Sequence, residues 1–273
     1  MSSPPFNVLV ETRHGTFLCN RNDLYIGRSL QLYGEVNENE VQLLKLLAPE
    51  GGVVLDVGAN IGSHTVPLAR HVGPKGWVYA FEPQRVVFQT LCANVALNSL
   101  TNVDCIPAAL SDAPGSVLIP DIDYTRESNF GAVEVSTFGV GRPVSQITLD
   151  DFAGLPRVDI VKIDVEGMEQ RVLAGGRRFF QRFRPILYVE NDRVEKSRRL
   201  IEYLWSLDYR LFWHLPSFFN PENFRGNKEN AFPNLIASNM LCFPKQLRMD
   251  VPPEGEIVDA DDHPTKSLPQ YEG

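Results

Sequence analysis

Residues 55–62, Leu-Asp-Val-Gly-Ala-Asn-Ile-Gly, carry two glycines between an apolar run and an amphipathic one. Glycine at 58 and 62 lets the backbone turn tightly and lets a ligand approach it closely, and a strand-to-helix turn is where open α/β sheets bind nucleosides. Charge narrows the choice of nucleoside. A dinucleotide site carries G-x-G-x-x-G and seats a pyrophosphate on the helix N-terminus. Here Asn60 stands for the middle glycine, preceded by Ala59, and Asp56 places an anion where it would repel phosphate. A cofactor with positive charge and no phosphate fits better. S-adenosyl-L-methionine, with its ammonium and sulfonium groups, has that character.

Glu82 ends the next apolar stretch, Trp77 to Pro83, where a carboxylate can accept hydrogen bonds from both ribose hydroxyls. Ser111-Asp112 ends the one after it and is placed for the adenine ring, although Ser-Asp before Ala-Pro-Gly is equally an ordinary turn. Further on, Asp164 and Glu166 lie two residues apart at a strand end, so that their repulsion would raise one pKa into the range of a useful base. Glu169 reads instead as negative charge favoured in a helix's first turn. Glu190 and Asn191 occupy the equivalent place on the neighbouring strand and could orient a substrate hydroxyl. An alcohol attacking a sulfonium methyl needs an acceptor for its proton and an aligned approach. The order of preference for that base is Asp164, Glu190, then His214, which follows a strand in Trp213-His214-Leu215-Pro216. His64 reads as a helix-face residue. Asp164, Glu166 and Glu190 could alternatively hold a divalent metal such as magnesium, which their spacing does not require.

Residues 218–224, Phe-Phe-Asn-Pro-Glu-Asn-Phe, are rich in aromatics and amides. With Asn129-Phe130 and Trp213 they suggest a pocket wall for a polar cyclic substrate, with Asn129, Trp213, Asn220 and Asn223 as the contacts. The basic run Arg177, Arg178, Arg182, Arg184 reads as a solvated helix face.

The elements that must position these residues follow from the apolar pattern. The chain of 273 residues, 43% hydrophobic and 22% charged, can bury one sizeable core and is not a wholly disordered chain. Its apolar runs fall short of the roughly 20 residues that span a bilayer. No basic segment followed by an apolar block opens the sequence, so the expectation is a soluble, cytoplasmic protein. Cys19, Cys92, Cys105 and Cys242 are scattered and read as reduced and structural. Residues 1–50 look like a β-rich arm, with strands in 6–12, 16–20 and Leu24 to Arg28, followed by a helix over 39–47. From Val53 to about 245, apolar strands alternate with amphipathic helices, the signature of a mostly parallel sheet covered on both faces. In that reading residues 103–112 form the third strand, and Gly175-Gly176 ends or bends the helix that begins near Met168. Residues 246–273, acidic and proline-rich, read as a disordered or loosely draped tail.

Several stretches together resemble the FkbM family of S-adenosylmethionine-dependent methyltransferases: residues 32–41, 53–73, 78–84, 91–98, 129–132, 147–152, 162–175, 184–193, 213–224 and 239–244. The resemblance covers about Leu30 to Pro244 and is specific only in combination. It implies a class I methyltransferase fold, Rossmann-like, with a seven-stranded sheet holding one antiparallel strand. It also implies methyl transfer to a hydroxyl oxygen, commonly on a sugar or secondary metabolite. Carried onto this chain, it puts the cofactor on Asp56, Gly58, Ala59, Asn60, Glu82 and the Ser111-Asp112 turn, with Glu35 contributing from the arm. Asp164 and Glu166 fall on the family's acidic motif. The competing readings are a methyltransferase of nucleic acid or protein, a nicotinamide-dependent oxidoreductase, disfavoured by Asn60 and Asp56, and a non-catalytic nucleoside-binding module. A net charge of −8 argues against nucleic acid engaging the whole surface. The expected partner is a small-molecule or saccharide acceptor, with no membrane.

Overall fold

The computed structural model describes residues 5–133, 139–247 and 255–264. The arm is a hairpin, β1 (Asn7–Thr12) and β2 (Gly15–Asn20), followed by α1 (Ile26–Tyr33) and α2 (Glu38–Leu47). Strand–helix repeats begin with β3 (Val53–Val57), α3 (Thr65–Val72), β4 (Trp77–Phe81), α4 (Arg85–Leu97) and β5 (Val103–Ile106). A small separate sheet comes from β6 (Ala108–Leu110), β7 (Gly115–Ile119) and β8 (Arg142–Ile147). The main sheet resumes with β9 (Ile160–Ile163), α5 (Glu169–Ala174), α6 (Arg177–Arg182), β10 (Ile186–Glu190), α7 (Val194–Ser206), β11 (Tyr209–His214) and β12 (Asn239–Pro244).

Its seven strands run in the order β11-β12-β10-β9-β3-β4-β5, and β12 alone is antiparallel to its neighbours. This is the α/β, class I methyltransferase arrangement expected. The central strands β3 and β9 are buried at every position, as two-faced burial in a parallel sheet requires. Side chains alternate between faces, and the register aligns Asp56 with Lys162 and Lys162 with Tyr188 in one row across β3, β9 and β10. Glu190 and Asn239 are paired one step nearer the strand ends, as are Asn239 and His214. Below these polar rows, Val54, Ile160 and Tyr188 pack with Leu44 of α2 and Leu68 of α3. One sheet face therefore turns from apolar to charged as it approaches its carboxyl edge. Asn94 of α4 clips the arm to this domain: Leu18 N–H donates to its Oδ1 at 2.6 Å, and its Nδ2 donates to the carbonyls of Leu18 and Ile61 at 3.1 and 2.8 Å.

Three expectations change. The third arm strand is instead the start of α1, where Leu30 and Tyr33 bury one helix face and Gly34, at φ 68°, ends it. The strand expected over 103–112 breaks at Pro107, which has no N–H for the ladder; the residues after it pair with β8 in the small sheet. The tail is docked where it is described. Ile257 N–H donates to the Leu211 carbonyl at 2.8 Å, Glu256 pairs with Arg210 at 2.7 Å, and Ile257, Ala260 and His263 are buried. Two apolar residues and a histidine anchor this part of the acidic stretch, which the reading as disordered or loosely draped did not anticipate; residues 248–254 and 265–273 lie outside the described residues. Gly175-Gly176 bends the chain between α5 and α6. All four cysteines are free, and among the described residues no helix is long and apolar enough to cross a membrane.

Candidate active site

A cavity of about 360 Å³ opens at the carboxyl ends of β3, β4, β9 and β10, roofed by Tyr25 and Asn37 of the arm and by Phe218 and Leu235–Ala237. Its floor is the turn after β3. Gly58 and Gly62 have φ of 80° and 90°, and a Cβ at 58 would collide with the Asp164 carbonyl oxygen, so only glycine lets the two strand ends lie this close. Three of the non-glycine residues with positive φ, Asn37, Asn60 and Glu166, line this same cavity. Backbone strain of this kind persists where surrounding contacts enforce it and gathers at functional sites.

Glu82 closes one end. Its Oε2 accepts the Asn60 N–H at 3.0 Å and its Oε1 the Gln84 N–H at 2.7 Å. Burial pushes its pKa up to about 7; the two amides pull the other way, and Asp56 and Asp164 add to the rise. A carboxylate has about four acceptor sites, so two amides leave capacity for ribose hydroxyls. The Gln84 side chain donates to the Phe130 carbonyl at 2.8 Å and so steadies the loop that brings Asn129 to the cavity wall.

Asp56 does not line the cavity. It is wholly buried, takes the Thr65 hydroxyl at 2.6 Å, and lies 3.5 Å from Lys162 Nζ. The anion expected to face the cofactor is thus spent within the protein. Lys162 was not singled out from sequence, although a lysine inside the otherwise apolar strand Ile160–Ile163 was the available signal. Its Nζ is 3.1 Å from Asp164 Oδ2 and 3.5 Å from the Gly58 carbonyl. Burial alone would lower its pKa, but Asp164 and Asp56 override this and hold it above the ordinary lysine value. His64, read as a helix-face residue, is buried at the start of α3, lines the cavity, and has Nε2 3.2 Å from Glu40 Oε2.

At the opposite end, Asp164, Glu166 and Glu190 bring one oxygen each within 4.8 Å of one another. Burial raises Glu166 to about 8, with Asp164 adding to the rise and Arg193, 2.8 Å away, opposing it. Burial likewise raises Glu190, again with Asp164 adding, and its Oε2 is buried without a hydrogen-bond partner. Hard carboxylate oxygens suit a divalent cation, yet Lys162 and Arg193 already neutralise Asp164 and Glu166 from inside the protein. Glu169 accepts the Val165 and Gly167 amides at 3.2 and 2.9 Å and shapes the loop.

The remaining expected residues are elsewhere. His214 does not line the cavity; it sits on the outer strand β11, bonded through Nδ1 to the Tyr188 hydroxyl at 2.8 Å, and burial lowers its pKa. The register sets it level with Glu190 through Asn239, but β12 lies between β11 and β10, so two strand spacings separate it from the reacting end. Ser111 donates to Asp112 at 3.0 Å, and Asp112 pairs with Arg171 at 2.8 Å at the surface, because the break at Pro107 carries this turn into the small sheet. Ala108, Ala109 and Leu110 line the cavity instead. Glu35 is a structural hub: its carboxylate takes Arg13 Nε, Asn220 Nδ2 and the Phe224 amide at 2.7, 2.7 and 2.8 Å. Asn223 is buried, holding the carbonyls of Asn220 and Asn227. Trp213 faces the tail, with Nε1 on the Asp262 carbonyl at 3.2 Å and its ring edge-on to His263 at 5.1 Å. Of the expected substrate wall, Asn129 and the neighbouring Phe218 face the cavity.

A family model described as "Methyltransferase FkbM domain" matches residues 56–211. The chain is 29% identical over 159 residues to "Methyltransferase sdnD" of Sordaria araneosa, covering 46% of this chain and 61% of that protein. It is 32% identical over 152 residues to "Hexuronic acid methyltransferase AglP" of Haloferax volcanii, covering 55% and 59%. To "tRNA(Phe) (4-demethylwyosine(37)-C(7)) aminocarboxypropyltransferase" of Methanocaldococcus jannaschii it is 38% identical over 72 residues, covering 26% and 28%. The chain thus spans less than two thirds of the length of each of these relatives.

Proposed function

The chain belongs to the FkbM methyltransferase family, and from that premise we propose that it moves the methyl group of S-adenosyl-L-methionine to a hydroxyl oxygen of a sugar, glycan or secondary metabolite. The observation that carries this reading is one cavity with two unlike ends. At one end, the Gly58–Asn60 turn and the Glu82 carboxylate offer a close backbone approach and spare acceptors to a nucleoside. At the other, Asp164 and Glu190 offer acceptors to a hydroxyl proton.

S-adenosyl-L-methionine supplies an electrophilic methyl on a sulfonium, so no activation of the leaving group is asked of the protein. Glu82 would hold the ribose and the turn at Gly58 would admit the nucleoside close to the backbone. Asp164 and Glu190 would align the acceptor hydroxyl and receive its proton as the C–O bond forms; alignment itself removes a large share of such a barrier. Tyr25 and Phe218, ring centroids 6.3 Å apart and edge-on, give the roof apolar faces suited to a sugar ring. The hexuronic acid named for the Haloferax relative is in keeping with a saccharide acceptor. The tRNA-modifying relative matches 26% of this chain against 55% for the Haloferax protein, which weighs toward a saccharide over RNA.

Calorimetry with S-adenosylmethionine and with NAD separates the enzyme classes, and labelled methyl donor with a panel of glycans, polyketides and RNA tests the acceptor. Binding of the methyl donor and label in a glycan or polyketide hydroxyl are expected. Binding of NAD alone, or label only in RNA, would overturn the reading.

A further inference from the structure

We propose that Lys162 is a positioning residue that ties the cofactor turn to the acceptor-side carboxylate. Its ammonium, 3% exposed, lies within 3.5 Å of three oxygens from three places: Asp56 Oδ1 on β3, the Gly58 carbonyl in the turn, and Asp164 Oδ2 beyond β9. Two of its N–H donors serve the Gly58 carbonyl and Asp164 Oδ2 while its charge faces Asp56 Oδ1, which has no hydrogen-bond partner, so this one atom can hold the floor of the nucleoside end and the wall of the acceptor end at a fixed spacing. Arginine does not substitute easily, since its planar fork cannot meet three oxygens converging on one point.

Stability alone does not account for a lysine here. Burying an ammonium in the middle of a sheet is costly, and replacing a buried ion pair by neutral groups of similar volume is often neutral or stabilising. What a neutral replacement cannot reproduce is the shared tether. In-line transfer tolerates little slack, because a misplacement of about 1 Å between reacting atoms can lower a rate by about 100-fold. The catalytic half of this inference rests on the proposed methyl transfer; the tether does not.

The test uses the full chain with Lys162→Met and with Asp56→Asn/Lys162→Met, the double variant removing the buried charge left behind. Thermal midpoint, S-adenosylhomocysteine affinity, amide hydrogen exchange, and kcat and KM with the acceptor found in the panel are measured. The single variant is expected to lose stability and the double variant to recover it. In the double variant, exchange should still rise together in residues 57–62 and 163–168, and kcat should fall by at least about 30-fold with acceptor KM within about threefold. A merely structural lysine predicts that exchange and kcat return with stability. Wild-type exchange in both segments, or kcat within threefold of wild type, overturns the proposal. If the unaltered protein binds no S-adenosylhomocysteine, the proposed function fails while exchange alone still decides the tether.

Discussion

The backbone amide of Asn60 donates to Glu82 Oε2 at 3.0 Å, joining the turn after β3 to the end of β4. Asn60 reaches that geometry at φ 50°, a region asparagine tolerates better than most residues. A glycine would offer the same backbone donor; what the asparagine adds is its side chain, whose Oδ1 accepts the Ile61 amide at 2.8 Å and holds the turn in this conformation.

Glu82, proposed above to hold the ribose, should make cofactor binding depend on pH. Its pKa, raised by burial to about 7, means that the free protein carries a proton there that the unfolded chain gives up near 4.5. The folded state binds the proton more tightly in that window, so this group's contribution to stability falls as pH rises from about 4.5 to about 7. Ribose hydroxyls donate best to the ionised form. S-adenosylhomocysteine affinity should therefore rise with pH up to about 7, by at most about tenfold per unit, and then level off. Calorimetry from about pH 5.5 to 8.5 reads this, and Glu82→Gln should be weak and flat across the range.

Gly58→Ala should abolish cofactor binding. A methyl group there meets the Asp164 carbonyl oxygen at a φ that disfavours any side chain, so β3 and β9 must part or the turn must move. Gly115→Ala, where a Cβ meets open space, is the control and should leave the thermal midpoint and affinity unchanged.

Glu35 should matter for stability and not for the cofactor. Its buried carboxylate receives three hydrogen bonds joining the arm to residues 220–224. Removing it leaves donors without their acceptor, so Glu35→Ala should cost about 2–4 kcal/mol in denaturant unfolding. S-adenosylhomocysteine affinity, measured where the variant is still folded, should stay within about threefold of wild type; a loss of 100-fold would restore Glu35 to the cofactor site.

These outcomes mark which parts of the site can be read from local sequence. Asp56, Glu82, Asp164 and Glu190 were legible because each ends an apolar strand, and strand ends share one edge of a parallel sheet. The seven-stranded sheet with one antiparallel strand was implied by the family resemblance, which rests on a combination of motifs rather than on any one of them; the strand order comes from the structure. Asp56 shows the limit: its position was legible, its orientation was not, because burial and pairing with Lys162 depend on the β3–β9 register. Likewise, one proline moved Ser111 and Asp112 to another sheet, and Glu35 met Asn220 only through the folded arm. Contacts between residues distant in sequence decide these points, and no local periodicity encodes them.

Trp213 separates the two kinds of reading most sharply. As a pocket wall it would touch the acceptor; in the structure its indole N–H holds the Asp262 carbonyl and its ring meets His263, whose Nε2 is 2.8 Å from the carbonyl of Asn191 beside Glu190. Trp213→Ala removes the hydrogen bond to Asp262 and the ring contact with His263, one anchor of residues 255–264 among several, while leaving the cavity lining intact. Limited proteolysis should then cut within that stretch at least about tenfold faster, since cleavage follows the population of the open form. S-adenosylhomocysteine affinity should be unchanged. Acceptor KM should rise by no more than about fivefold, through loosening of the Asn191 turn, because truncating a direct aromatic contact would cost considerably more. A KM raised 100-fold with the tail still protected would return Trp213 to the substrate wall.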